Sequence, residues 1–196
     1  MPRSGPSWAS RALIDAAWRN YDVLHESIPD EPTVGASVMV HLAAMTVAFY
    51  RAMRATGMSD EAARDRSARL NWGVYERLTK PTWSLTALLA KEPIDRVKRA
   101  MDLFMRFPYA SPGYEMAYVV VEEGTVGFDV RRCPASEFFA ALGLQSLCKA
   151  AFCDLDYPLA ENWGVTLTRT KTLSCGKDHC DFRFAARDRD GSPTRT

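Results

Sequence analysis

The chain has 196 residues, which is enough for one well-buried core, so we expect a single compact unit. Its 25 basic and 24 acidic side chains give a formal net charge of +1, with both signs interspersed along the chain. Because nucleic acids are bound by concentrated positive charge, this balance argues against a nucleic acid partner.

Residues 1–110 are predicted to be helical, because apolar residues recur at helical spacing between proline and glycine breaks. Ser59 is typical of an N-cap, and Pro81 should end the helix that begins there, since proline lacks a backbone N–H. The predicted helices cover 7–25, 34–56, 59–80, a stretch after Pro81, and 93–107. In the second helix, an apolar stripe should face the core: Val38, Leu42, Met45, Phe49 and Met53.

The residue composition changes after 111–113. Here β-branched and aromatic residues on both sides of a Glu-Gly turn indicate a hairpin. The predicted elements of this part are strands at 114–122, 125–132, 164–173 and 180–186, and helices at 136–142 and 144–154. The predicted fold class is α+β: a helical N-terminal half followed by an antiparallel sheet of two hairpins flanking a helical insert. We expect 1–110 and 111–186 to form one compact unit, with 187–196 as a loose tail.

The apolar content of the chain predicts no membrane span. Residues 1–10 lack a long apolar stretch, and the most apolar segment, 38–49, is interrupted by His41 and Thr46 and is too short to cross a bilayer. We therefore expect a cytoplasmic protein without a membrane partner. An odd number of cysteines, five, without a secretion signal indicates reduced thiols rather than disulfides.

Thiols and carboxyl groups that could carry chemistry are concentrated between residues 132 and 184. A reactive thiolate needs a lowered pKa, which a neighbouring cation or a helix N-terminus supplies. Cys133 follows Arg132 and precedes a predicted helix, whereas Cys153 lies near a predicted helix end with Asp156 as a nearby base or ligand. Cys148 is expected in the core. The alternative for Cys133 is an ordinary buried cysteine.

A metal site is a second alternative for these residues. Zinc could be bound by Cys133, Cys153 and Cys180 together with Asp156 or His179, but closely spaced ligand pairs such as CxxC are absent from the sequence. The sequence also lacks the glycine-rich phosphate-binding motifs. We therefore expect neither a metal nor another cofactor.

Threonines alternate along the predicted third strand, which places four of them on one face: Thr166, Thr168, Thr170 and Thr172. This face is either a partly exposed surface that suits threonine, or the lining of a polar pocket that binds a carboxylate or amidine ligand.

Four spaced blocks carry a resemblance to a known family: Arg132-Cys133-Pro134, Cys153-x-x-Asp156-Tyr157, Arg169-Thr170-x-Thr172-Leu173-x-x-Gly176, and Cys180-Asp181-Phe182. They resemble the C-terminal pattern of the L-2-amino-thiazoline-4-carboxylic acid hydrolase family. The resemblance covers 114–184. It implies hydrolysis of a C–N bond in a cyclic amidine-like acid, in which water opens the thiazoline ring to give N-carbamoyl cysteine.

We therefore expect a small-molecule hydrolase that acts on a carboxylate or zwitterion, and the sequence leaves room for a homo-oligomer. The expected catalytic residues are Cys133, Cys153, Asp156, Cys180 and Asp181, with Cys133 or Cys153 as nucleophile and the aspartates moving protons or holding the amidinium. The expected substrate-binding residues are Arg132, Arg169, Thr170, Thr172 and Gly176. Water activated by Asp156 is an equal alternative, and a non-catalytic domain that binds or senses a small ligand is the second hypothesis. The three thiols of Cys133, Cys153 and Cys180 should converge on one edge of the sheet.

Overall fold

The computed structural model describes residues 11–187, so the predicted helix start at Ser7 and all of the predicted tail except Arg187 lie outside the described part. Four helices precede the sheet: α1 (Arg11–His25), α2 (Val34–Ala55), α3 (Asp60–Thr86) and α4 (Pro93–Phe104). Arg187 is still part of the ordered fold, because its Nε donates a hydrogen bond to the carbonyl oxygen of Val165 at 3.1 Å.

Helix α3 is one continuous helix of 27 residues, so the predicted interruption at Pro81 is wrong. Pro81 and Arg77, whose carbonyl oxygen loses its helical partner, are both exposed, and water can bind that oxygen instead. The start of α3 is as predicted: the Ser59 side chain accepts a hydrogen bond from the N–H of Ala62.

A four-stranded antiparallel sheet follows, with the strand order β1-β2-β4-β3. Its strands are β1 (Glu115–Tyr118), β2 (Thr125–Arg132), β3 (Val165–Thr168) and β4 (Cys180–Ala186). The β1–β2 and β3–β4 hairpins are joined by pairing of β2 with β4, in which Val130 faces Cys180. The α+β fold class, with a helical first half and one antiparallel sheet of two hairpins, is thus confirmed.

The insert between the hairpins contains α5 (Pro134–Ala141), α6 (Gln145–Ala151), a 3-10 turn (Cys153–Leu155) and α7 (Asp156–Asn162). The helix predicted for 144–154 therefore ends early. Phe152 leaves helical geometry with φ −131° and ψ −68°, which starts the 3-10 turn at Cys153. Helix α7 was not predicted, and Pro158 is compatible with it because it lies in the first turn, where the N–H has no helical partner.

The third strand ends at Thr168 rather than at residue 173, so the predicted four-threonine face is wrong. Beyond Thr168, the carboxylate of Asp181 accepts hydrogen bonds from the N–H groups of Thr170 and Lys171. These side-chain contacts, with one backbone hydrogen bond from the N–H of Asp181 to the carbonyl oxygen of Lys171 at 3.3 Å, take the place of a regular ladder. Within the strand, the hydroxyl of Thr166 donates to the carbonyl oxygen of Ala185.

Helix α2 packs against α1, α3 and α5 and is buried on more than one face. Its fully buried residues include Ala43, Ala44, Val47 and Ala48, whereas Val38, which was expected in the core, is 48% exposed. At 22 residues, α2 is long and apolar enough by composition to cross a membrane, but half of its most apolar stretch is buried inside the fold, as in a core helix. The absence of a membrane partner stays a prediction.

Candidate active site

Arg169, directly after β3, connects the parts of the candidate site. Its side chain is 2% exposed. One guanidinium nitrogen, Nη1, lies 3.0 Å from Oδ2 of Asp156, and the other, Nη2, donates to the carbonyl oxygen of Cys153 at 2.9 Å. The third nitrogen, Nε, is buried and has no hydrogen-bond partner within the described residues. One positive charge thus holds the start of α7 against the preceding 3-10 turn.

Asp156, the first residue of α7, has a carboxyl group that titrates near neutral pH. Burial raises its pKa to about 6, against the opposing effects of the Arg169 charge and hydrogen bonds from Arg169 and Tyr75. The Tyr75 hydroxyl lies 3.4 Å from Oδ1 of Asp156, and the Tyr109 hydroxyl lies 3.0 Å from that of Tyr75. Asp156 is therefore suited to accept and donate a proton at physiological pH.

Cys153 is the thiol of this region whose pKa is lowered. Its Sγ lies 3.9 Å from Sγ of Cys148 and 3.4 Å from Oγ of Ser174. The hydrogen bond from Cys148 lowers the pKa of Cys153 most, and the Ser174 hydroxyl and the Arg169 charge add to it, which outweighs burial and the charge of Asp156. When Cys153 is a thiolate, its sulfur accepts from the thiol of Cys148, whose own pKa is raised. Cys153 is thus the thiol best placed to react as a thiolate.

Cys133 and Cys180 have raised pKa values. Burial raises the pKa of Cys133 to about 12, although the N–H of Ser136 at the start of α5 acts in the opposite direction. Burial also raises the pKa of Cys180 to about 11, against a hydrogen bond from the N–H of Leu173. Both thiols stay protonated at neutral pH. Cys133 packs against the same hydrophobic cluster as Cys180 and, with Cys153, against a second one, and the convergence of the three thiols on one edge of the sheet stays a prediction.

Arg132 lies in a different set of contacts. Its Nη2 is 3.1 Å from carboxylate oxygens of both Glu31 and Glu137, and its Nη1 donates to the carbonyl oxygen of Gly113. Arg132, at the end of β2, therefore links this strand to Glu31, which precedes α2. The two carboxylates already compensate its positive charge. This also removes it as the cation next to Cys133.

Asp181 and Gly176 shape the loop between β3 and β4. Besides the two N–H groups, Asp181 accepts a hydrogen bond from the hydroxyl of Thr170 at 2.6 Å. Burial raises the pKa of Asp181, but these hydrogen bonds lower it by a larger amount, so its pKa lies below the usual value. Gly176 has φ 75°, a left-handed conformation that favours glycine, and ends the 3-10 turn Leu173–Cys175.

A surface pocket of about 450 Å³ opens beside Arg169. It is lined by Lys149, Asp154, Tyr157, Arg169, Thr170, Thr172, Cys175 and Lys177. Arg169, Thr170 and Thr172 were expected at a substrate site and do meet here. Tyr157 stands inside one of the quoted sequence blocks, which was a usable signal for it. Lys149 and Lys177 have no local sequence pattern that distinguishes them from other surface lysines.

Among residues 11–187, no group of three or more His, Cys, Asp or Glu side chains is arranged to hold a metal ion. The imidazole of His179 pairs with aspartates and, among the described residues, with none of the cysteines: its Nδ1 lies 3.0 Å from Asp178 and its Nε2 lies 3.8 Å from Asp129. The expectation of a protein without a metal stays a prediction.

The sequence matches a known protein family over most of its length. A model of the L-2-amino-thiazoline-4-carboxylic acid hydrolase family matches residues 38–184. The chain belongs to this family. The match includes most of the helical half, whereas the sequence blocks that carry the resemblance lie within 114–184. A search of the curated proteins gave no match.

Among solved structures, this family member is similar to the Fe(II) unliganded H-NOX protein from K. algicida, with a TM-score of 0.41, 9% identity, and coverage of 89% of this chain and 96% of that chain. It is also similar to an H-NOX protein from S. oneidensis in the Fe(II)NO ligation state, with a TM-score of 0.41, 12% identity, and coverage of 90% and 93%. TM-scores this low say nothing about the ligand of the present chain.

Proposed function

We propose that this family member opens a small cyclic amidine acid by hydrolysis, with Cys153 as the nucleophile and Asp156 as the proton-transfer group. The observation that carries the proposal is the bridge formed by Arg169, which binds the carboxylate of Asp156 and the carbonyl oxygen of Cys153. The same guanidinium thus binds the backbone of the residue whose thiol has a lowered pKa and the carboxyl group whose pKa is raised. Opposite pKa shifts on neighbouring groups are what a nucleophile and its acid–base partner require.

We prefer Cys153 to Cys133 as the nucleophile. Hydrogen bonds and the Arg169 charge lower the pKa of Cys153 by more than burial raises it, whereas at Cys133 burial prevails and the pKa is raised. The raised pKa of about 12 makes Cys133 unreactive near neutral pH. Cys133 and Cys180 then serve as packing residues beside the reacting thiol.

The substrate proposed is a 2-amino-thiazoline carboxylate, as in the name of the family. The Cys153 thiolate adds to the protonated amidine carbon, and the ring sulfur leaves with a proton from Asp156, which forms an isothiouronium on Cys153. Water then adds to the same carbon and gives a proton to Asp156. The Cys153 thiolate leaves, and the protonated urea releases a proton to solvent.

The net change is the addition of one water molecule, which gives N-carbamoyl cysteine. Both C–N bonds of the amidine carbon survive in this product, so the ring bond that breaks is C–S. The reaction proposed is therefore attack at the amidine carbon with loss of the ring sulfur, and it replaces the C–N bond cleavage expected from the resemblance. Direct attack by water, with Asp156 as base, gives the same product without the covalent intermediate.

Single-turnover kinetics with L-2-amino-thiazoline-4-carboxylate test the proposal. We expect Cys153→Ala to lower the rate by about 1,000-fold or more, because loss of a nucleophile removes the covalent step. Cys133→Ala is the matched control, since it removes a thiol of the same region and should leave the rate within about threefold. Acid quenching of the unmodified enzyme, followed by mass measurement, should show the isothiouronium on the peptide that contains Cys153.

Two other outcomes are informative. If Cys153→Ala retains near wild-type turnover and Asp156→Asn loses it, water activated by Asp156 is the mechanism. If the unmodified protein binds the thiazoline acid and does not hydrolyse it, the enzyme proposal is wrong and a small-ligand binding domain is the better description.

A further inference from the structure

The pocket beside Arg169 presents hydrogen-bond donors that are unused within the described residues. The Nζ of Lys177 and the hydroxyls of Thr172 and Tyr157 form neither an ion pair nor a hydrogen bond with another residue of 11–187. The buried Nε of Arg169 likewise lacks a partner there. Unused donors of this kind fit a ligand that supplies acceptors.

The charges around the pocket favour an anion. Its single acidic lining residue, Asp154, is already paired, with Oδ2 at 2.6 Å from Nζ of Lys149 and Oδ1 at 3.8 Å from Arg169. The remaining charge of Arg169 is met by Asp156. The positive charge of Lys177 is therefore left without a compensating carboxylate, and a carboxylate ligand would pair with it.

The tight turn after Arg169 brings Lys177 next to Thr172. The N–H of Lys177 donates to the carbonyl oxygen of Thr172 at 3.3 Å, and Gly176 makes the reversal in its left-handed conformation. A carboxylate has two oxygens, so it can accept from both an amine and a hydroxyl that line the same pocket.

The same pocket adjoins the proposed nucleophile. Cys175 lines it and follows Ser174, whose hydroxyl lies 3.4 Å from Sγ of Cys153, and Arg169 both lines it and binds the carbonyl oxygen of Cys153. Its volume of about 450 Å³ is within the usual range for a small-molecule site. A ligand held at Lys177 by its carboxylate would occupy the pocket that Arg169 and Cys175 also line.

We infer that Lys177, assisted by the hydroxyl of Thr172, binds the carboxylate of the substrate and makes the enzyme select cyclic amidine acids over neutral cyclic amidines. This inference rests on the proposed function for the reaction that follows binding. It assigns a specificity-determining role to a lysine that the sequence does not single out. The turn at Gly176 would position that lysine.

Variants of Lys177 test the inference in steady-state assays with two substrates, L-2-amino-thiazoline-4-carboxylate and 2-amino-thiazoline without the carboxylate. Lys177→Gln should raise KM for the acid by about 10- to 100-fold, the usual range for loss of one hydrogen bond to a charged group, with kcat within about threefold. Lys177→Glu should raise it further. For the neutral substrate, both variants should have the KM of the wild type.

Lys171→Gln is the matched control. Lys171 lies in the same loop, but its amine is 3.8 Å from Asp178 and it does not line the pocket. We expect wild-type KM values for both substrates in this variant. Equal KM values for the acid in wild type and Lys177→Gln would overturn the inference while turnover by the wild type upholds the proposed function.

Calorimetric binding to Cys153→Ala protein separates the two proposals further. The acid should bind about 10-fold or more weakly once Lys177→Gln is added to this background. If the wild type fails to hydrolyse the acid but this loss of affinity is seen, the proposed function is wrong and Lys177 still binds the carboxylate. If the acid neither binds nor reacts, both are wrong.

Discussion

The contrast between Cys148 and Cys153 shows how hydrogen bonding decides which of two adjacent sulfurs ionises. The two sulfurs lie 3.9 Å apart and either can donate, so when Cys153 is ionised the thiol of Cys148 is the donor. The pKa of Cys148 is raised and that of Cys153 is lowered, because the shared bond stabilises one negative charge and the Ser174 hydroxyl and the Arg169 charge favour Cys153 as its place.

This bond predicts the behaviour of Cys148→Ala. Loss of the donor should raise the pKa of Cys153 and lower turnover near pH 7 by about fivefold, the effect of one hydrogen bond of about 1 kcal/mol. The measurement is the rate of iodoacetamide alkylation of Cys153 as a function of pH, followed by peptide mass spectrometry. Cys148→Ser retains a donor and should alkylate more like the wild type. An unchanged profile for Cys148→Ala would show that Cys148 does not tune Cys153.

At the scale of single residues, the sequence led to Cys153, Asp156 and Arg169, because they stand in spaced blocks with the chemistry of a site. It did not separate Cys153 from Cys133. The helix start next to Cys133 was predicted, but the amount of burial was not, and the charge of Arg132 is taken by Glu31, which is 101 positions away in sequence. Interactions across such distances are set by the tertiary fold.

Among the secondary-structure elements, the turn that ends at Gly176 depends on the left-handed backbone conformation of this glycine. Gly176→Ala should destabilise the fold by about 1–2 kcal/mol, the cost of a left-handed conformation for a residue with a Cβ. A Cβ at this position meets no atom within 4 Å, so the cost comes from the backbone alone. Urea unfolding measures it, and a rise in KM for the thiazoline acid should accompany it.

Gly73 provides a control, because its replacement by alanine should change the free energy of unfolding in the opposite direction. It lies inside α3, where an added Cβ also meets no atom within 4 Å. Gly73→Ala should stabilise the fold by about 0.5–1 kcal/mol, since alanine is the better helix former. If both alanine variants are equally stable, conformational preference is not what fixes the turn.

The elements that the sequence predicted well are those with strong local signals, such as the Ser59 cap and the two hairpins. The errors arose where tertiary contacts or solvent override local preference. Pro81 is tolerated inside α3 because its helix face is exposed, and β3 ends early because Asp181 supplies acceptors from the neighbouring strand. A single sequence contains no direct signal for either.

At the scale of the whole molecule, Asp156 links folding stability to pH. Its pKa is about 6 in the folded protein and lies near 3.8 in an unfolded chain. The folded state therefore binds the proton more tightly, so the contribution of Asp156 is fully present below about pH 4 and is lost as pH rises through about 6.

Comparison of the wild type with Asp156→Asn isolates this effect, because the other titrating groups are common to both proteins. The free energy of unfolding of the wild type, relative to the variant, should fall by up to about 3 kcal/mol between about pH 4 and pH 7. Urea unfolding at several pH values gives the difference. A difference that is constant with pH would mean that the pKa of Asp156 is not raised by folding.

If the proposed function holds, the buried pair of Asp156 and Arg169 sets selection for activity against selection for stability. Removing two charges from water costs more than their attraction returns in many proteins, and apolar residues of similar size in such places often give a more stable fold. A lineage that kept this fold only to bind a ligand would gain by losing both charges. Retention of the pair in a relative would then indicate that the relative carries out the proposed reaction.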